Sequence, residues 1–149
     1  MSLIKEYTSE TRIQVRYAET DQMGIVYHAN YLIWFNIALE KMMSNLGFSI
    51  QMGEKKGFYF PVVEVNLKYH QPAKYGDELI VKATPEETTV ARFTTHFQVI
   101  RVKRKKLLAE GSTTCVLTDA THGALIRIPS EFETVAQCLM PKTRGGEKE

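Results

Sequence analysis

The sequence predicts an α+β domain, with a curved antiparallel sheet of about five strands wrapped around one long central helix. Three observations predict it: a period-two segment near the N-terminus, an apolar stretch at helical spacing from about Ala29 to Leu46, and four strand-like segments after it. An apolar helix needs cover on most sides, and strands with one apolar face can supply that cover.

The elements follow in order. Ile13, Val15 and Tyr17 alternate with Arg12, Gln14 and Arg16, the pattern of a strand with one buried face. A loop carrying Asp21 and Gly24 comes next. Leu32, Phe35, Leu39, Met42, Met43 and Leu46 then recur at three- and four-residue spacings, and Tyr31, Ile33, Trp34 and Ile37 make the first half apolar nearly all round. Gly47 followed by Phe48 predicts a Schellman-type helix end. Val63, Val65, Leu67 and Tyr69 alternate with Glu64, Asn66, Lys68 and His70, before a turn at Pro72 and Gly76. Leu79, Val81 and Ala83 suggest a strand stopped by Pro85. Another runs from about Thr89 to Val102, with Ala91, Phe93, Thr95, Phe97 and Val99 on one face. Lys103 to Lys106 forms a basic tip, and a further strand runs from about Leu107 to Leu117. Ser130 with Glu133 fits a capping box for a short C-terminal helix.

Residues 1–140 read as a single domain, with 141–149 (PKTRGGEKE) as a disordered tail. A 149-residue chain buries roughly 70% of its unfolded surface, enough for a real core. The net charge of +2 is too mild to argue for nucleic acid. Cys115 and Cys138 form no CxxC pair and read as reduced thiols in a cytoplasmic protein. The first residues, MSLIKEYTSETR, lack the apolar core of a signal peptide. Asn36, Glu40, Lys41, Ser44 and Asn45 interrupt the long apolar stretch, which is therefore not read as a membrane span. His28, His70, His96 and His122 show no pair at metal-ligand spacing.

Reactive groups concentrate between Arg16 and Tyr31, RYAETDQMGIVYHANY. Asp21 can serve as base or nucleophile, Gly24 can turn the backbone, and His28 lies where the helix should begin. A helix start offers unpaired N–H groups to developing negative charge. These are parts for opening an activated carbonyl. By residue type alone Asp21 is a turn or capping aspartate; its setting turns the reading toward catalysis. The His28 side chain could orient a carbonyl or water, or the residue could contribute only backbone. Tyr27, Asn30 and Tyr31 are candidate lining for an acyl or pantetheine pocket, although Tyr31 and Trp34 also suit plain helix core and Asn30 a helix cap. The basic run from Arg101 to Lys106 reads mainly as a solvated hairpin tip.

The run Asp21-Gln22-Met23-Gly24-Ile25-Val26-Tyr27-His28-Ala29-Asn30-Tyr31 resembles the signature of the hotdog-fold acyl-CoA thioesterases, within them the 4-hydroxybenzoyl-CoA thioesterase and YbgC-like group. Leu67-Lys68-Tyr69, Pro72-Ala73 and Gly76-Asp77 extend the resemblance, and the order of elements agrees from about Glu10 to Ser130. The resemblance implies a hotdog fold and a homodimer or homotetramer with active sites at the subunit interface. It places the catalytic carboxylate on Asp21 and the oxyanion-donating backbone N–H on His28. The implied substrate is an acyl-CoA, with no metal or organic cofactor. An acyl carrier protein could replace coenzyme A as donor. A hotdog hydratase is disfavoured because Asp21 and His28 are seven residues apart. A non-catalytic acyl-CoA sensor is disfavoured by the intact Asp21.

Overall fold

The computed structural model describes residues 2–141, so the tail expected from the sequence lies, from position 142 on, outside the described residues. The main sheet is built from β1 (Ser9–Gln14), β3 (Val62–Tyr69), β4 (Glu78–Pro85), β5 (Arg92–Arg101) and β6 (Lys106–Val116), following the long helix α1 (Asn30–Asn45) in all but the first case. Its order is β1-β4-β5-β6-β3, every neighbour antiparallel. The sequence-predicted architecture is the one observed.

Helix α1 lies against the β1–β4 side of the sheet. Trp34, Phe35, Ala38 and Met42 bury one stripe against Leu79, Val81, Phe97, Val99 and Leu108. Phe35 stacks on Phe97 at 4.4 Å with the rings 9° apart. The helix ends as its sequence requires: Gly47 takes φ 86, its N–H reaches Ser44 at 3.0 Å, and the Phe48 N–H reaches Met43 at 2.9 Å. That is the paired bonding of a Schellman end, which spares the last carbonyls from being orphaned.

Several expectations are corrected. Tyr17 does not continue the first strand. It opens a 3-10 turn (Tyr17–Glu19) because the Glu19 carboxylate folds back to accept the Arg16 N–H at 2.8 Å. Ser130 and Glu133 form no capping box: Ser130–Phe132 is a 3-10 turn, the Ser130 hydroxyl donates to Glu131, and α3 (Glu133–Leu139) starts without a side-chain cap. A six-residue helix, α2 (Ile50–Lys55), was not anticipated, nor was a second small sheet of β2 (Phe58–Tyr59), β7 (Thr118–Asp119) and β8 (Gly123–Ala124). Phe58, Ala91, Leu117 and Phe132 form a satellite core there.

The two edges of the main sheet differ. On β1, the Lys41 ammonium donates to the Glu10 carbonyl. On β3 no single face is buried as the alternation predicts: Val62 and Val63 are each 52% exposed and Val65 45%. Among the described residues nothing covers Val62, Val63 and Val65, whereas at the far end of β3 Leu67 packs on the core and Tyr69 meets Tyr31 of α1; Ile33 and Ile37 of α1 are likewise exposed. Gly111 of β6 sits opposite Leu67, where a Cβ would collide with the Asn66 carbonyl oxygen.

Candidate active site

The segment between β1 and α1 is a compact turn. The Asp21 N–H donates to Ile25 at 2.9 Å and the Gly24 N–H to Asp21 at 3.0 Å. Gly24 takes φ 79, a left-handed conformation that other residues adopt at a cost. The loop is pinned beyond it by Val26, whose N–H reaches Ala73 at 2.9 Å, and by an Ile25–Lys74 bridge.

Asp21 is an aspartate of the turn, the plainer of the two readings of its residue type. Its Oδ1 accepts the Met23 N–H at 2.8 Å, fixing the side chain, while Oδ2 has no partner among the described residues. An oriented carboxylate with one free oxygen is what a base or a nucleophile needs.

Asp21, His28 and Tyr31 share a cleft of about 330 Å³, which Tyr69 and His70 of the β3 end also line. Helix α1 begins at Asn30 after Ala29, and the backbone N–H groups of His28 and Ala29 have no acceptor among the described residues. They therefore remain available at the positive end of the helix dipole. The Tyr31 ring is buried, and its hydroxyl accepts the Ala73 N–H at 3.1 Å. Burial pushes the Tyr31 phenol above its ordinary range, with smaller contributions from neighbouring Tyr69 and Asp77. Tyr69 rises for the same reason, desolvation.

The other two candidates do not line this cleft. Asn30 does not cap the helix; its Nδ2 donates to the Glu19 carbonyl at 2.8 Å. The Tyr27 ring is exposed and lies against the His28 ring, centroids 4.4 Å apart. Trp34 is core, as its plain reading held. Of the basic run, Arg101 pairs with Asp77 at 3.8 Å, and Lys103 to Lys106 are exposed.

Two residues of the site escaped the sequence reading. Glu19 is a buried carboxylate that accepts the Trp34 indole N–H, while its carbonyl takes both Asn30 and the Tyr27 N–H, at 2.9 Å for the latter. It lies two residues before the Asp21–Tyr31 run, and nothing in spacing marks it as buried. Tyr69 was read as one of a strand's alternating residues and as part of the second resembling segment, with no role in the site. Among the described residues no three His, Cys, Asp or Glu side chains are grouped to hold a metal. No helix of the described residues is long and apolar enough to cross a membrane.

The profile of the thioesterase-like superfamily matches residues 15–135, a span covering the loop, the cleft and the whole main sheet beyond β1. This chain belongs to the thioesterase-like superfamily. The membership bears out the hotdog fold and the thioester hydrolase class that the motif implied. A Bacillus subtilis relative named "Putative acyl-CoA thioesterase YneP" is 47% identical over 81 residues, 54% of this chain and 59% of that protein. The match therefore spans under two thirds of that relative's length. A DHNA-CoA thioesterase from Staphylococcus aureus superimposes with a TM-score of 0.79 at 32% identity, covering 87% of this chain and 89% of its own. A 1,4-dihydroxy-2-naphthoyl-CoA thioesterase from Synechocystis gives a TM-score of 0.80 at 27% identity, over 87% and 96% of the two chains.

Proposed function

We propose that this member hydrolyses acyl-CoA thioesters to a free carboxylic acid and coenzyme A, with Asp21 as the reacting carboxylate. The observation that carries the reading is the placement of a free Asp21 oxygen and an unpaired His28 N–H on one cleft at the start of α1. The thioester carbonyl would lie toward the His28 N–H, which stabilises the oxyanion of the tetrahedral intermediate. One such donor is typically worth about 10²–10³ in rate. Asp21 then either takes a proton from the attacking water or attacks the carbonyl carbon itself, giving a mixed anhydride that water opens. In both courses the carbon–sulfur bond breaks and coenzyme A departs as a thiolate. Tyr31 forms the floor of the cleft, and Tyr27 and Asn30 contribute to substrate binding only where a neighbouring copy closes over them.

We infer a homodimer as the working unit, closed through the open β3 edge and able to pair again into a tetramer. The supporting features are the uncovered valines of β3 and the exposed Ile33 and Ile37 of α1. The free thiols of Cys115 and Cys138 suit a reducing cytoplasm.

The test is thiol release from short, long and aromatic acyl-CoAs by wild type and Asp21→Asn. Release by the wild type that falls at least about 10²-fold in the variant is expected. Undiminished release by Asp21→Asn would overturn the catalytic assignment, and release only from acyl carrier protein thioesters would change the donor. A single turnover in ¹⁸O-water separates the two courses, because only a mixed anhydride can leave label in Asp21.

A further inference from the structure

The two unpaired N–H groups at the helix start each belong to a peptide that is gripped at its other end. A trans peptide points its N–H away from its C=O, so a bond to the carbonyl fixes where the N–H aims. For the peptide carrying the His28 N–H, the Tyr27 carbonyl accepts the Asn30 N–H at 2.9 Å. For the peptide carrying the Ala29 N–H, the His28 carbonyl accepts the Tyr69 hydroxyl at 2.8 Å. The first grip is local to the helix. The second reaches 41 residues along the chain, from the end of edge strand β3.

We infer that Tyr69 is a positioning residue for the oxyanion-binding backbone, its hydroxyl holding the His28 carbonyl and so aiming the His28–Ala29 segment. The inference rests on the proposed thioesterase reading. The hydroxyl does two further things. It occupies a carbonyl lone pair beside the cleft that would otherwise repel a developing oxyanion. It also polarises the peptide, making the Ala29 N–H a better donor. The Tyr69 ring is itself held, edge-on to Tyr31 with centroids 5.2 Å apart, and Tyr31 is anchored through Ala73. The grip is therefore rigid enough to transmit the position of β3 to the helix start. Tyr69 touches no reacting atom in this account.

Tyr69→Phe keeps the ring and its contact with Tyr31 and removes only the hydroxyl. The expected result is a fall in kcat of about tenfold, the scale of one net hydrogen bond, with KM held within about twofold. The thermal midpoint should stay near that of the wild type, since the bond is solvent-accessible. A merely structural tyrosine would not produce that split. In an amide NMR spectrum, loss of the bond to the His28 carbonyl should shift the Ala29 nitrogen upfield, and Ala29 should stand out against its neighbours. If Asp21→Asn is inactive but Tyr69→Phe turns over at the wild-type rate, or if the Ala29 signal stays in place, the positioning role is overturned alone. A wild type inactive on every thioester removes the proposed function and this role together.

Discussion

Glu19 receives the indole N–H of Trp34 at 2.8 Å, joining a buried carboxylate in the turn after β1 to the core face of α1. Its other oxygen accepts the Arg16 N–H, and the Arg16 side chain approaches at 3.6 Å. The loop that presents Asp21 is thereby tied to the helix that presents His28.

Replacing Glu19 with Ala leaves two donors without partners, one of them buried. The expected loss is about 3 kcal/mol of unfolding free energy, read from urea titration. Thiol release should fall as well, because Tyr27 and Asn30 also hang on this turn. A variant as stable and as active as the wild type would show that the turn holds without the carboxylate.

Gly111→Ala tests the close approach of β6 and β3. The added methyl meets the Asn66 carbonyl, which is backbone and cannot swing aside. Strand separation should cost about 2–3 kcal/mol, measured as a lower urea midpoint. An unchanged midpoint would mean the strands part there without penalty.

How much of this could be read beforehand varies with the kind of signal. The α1 helix was legible because six residues from Leu32 to Leu46 recur at three- and four-residue spacings, and Gly47–Phe48 because a left-handed helix end selects glycine. The strands β4 and β5 alternated clearly, and β6 was legible only as a β-rich run between the basic tip and Leu117. The two-residue strands β2, β7 and β8 were not legible, since two residues carry no period. Ser130 and Glu133 matched a cap by spacing, but the preceding turn took a 3-10 path. In the site, Asp21 and Gly24 stood out by type, whereas Glu19 and Tyr69 act through partners 15 and 41 residues away, which no local pattern reports.

Val65→Lys places a charge on the open edge of β3. Light scattering should give the wild type at about twice the 17.0 kDa chain mass or a further multiple, and the variant near the single-chain mass with thiol release lost. A wild type that is monomeric and active would overturn the dimer.

Alkaline pH should weaken the fold. Burial pushes the Cys115 thiol above its ordinary value of 9.0. The folded chain therefore keeps the proton longer than the unfolded one, and the stability this contributes is full below that value and declines as pH rises from it toward the folded value. Tyr31 adds the same sign from 10.0 upward. Thermal midpoints should fall as pH rises past 9.0, and Cys115→Ala should fall less steeply between there and the onset of Tyr31 at 10.0. Parallel curves would show that the thiol contributes nothing.

The Lys41 contact with the Glu10 carbonyl gains meaning when set beside the bare edge of β3. A sheet open on both sides can recruit strands without end and grow into fibres. Here a cation obstructs one side, so each copy has a single free flank to offer. In the proposed dimer two such flanks would satisfy each other and leave nothing for a third strand to extend. For the proposed dimer, one lysine reaching from α1 to the edge of β1 would separate a self-limiting pair from a polymer.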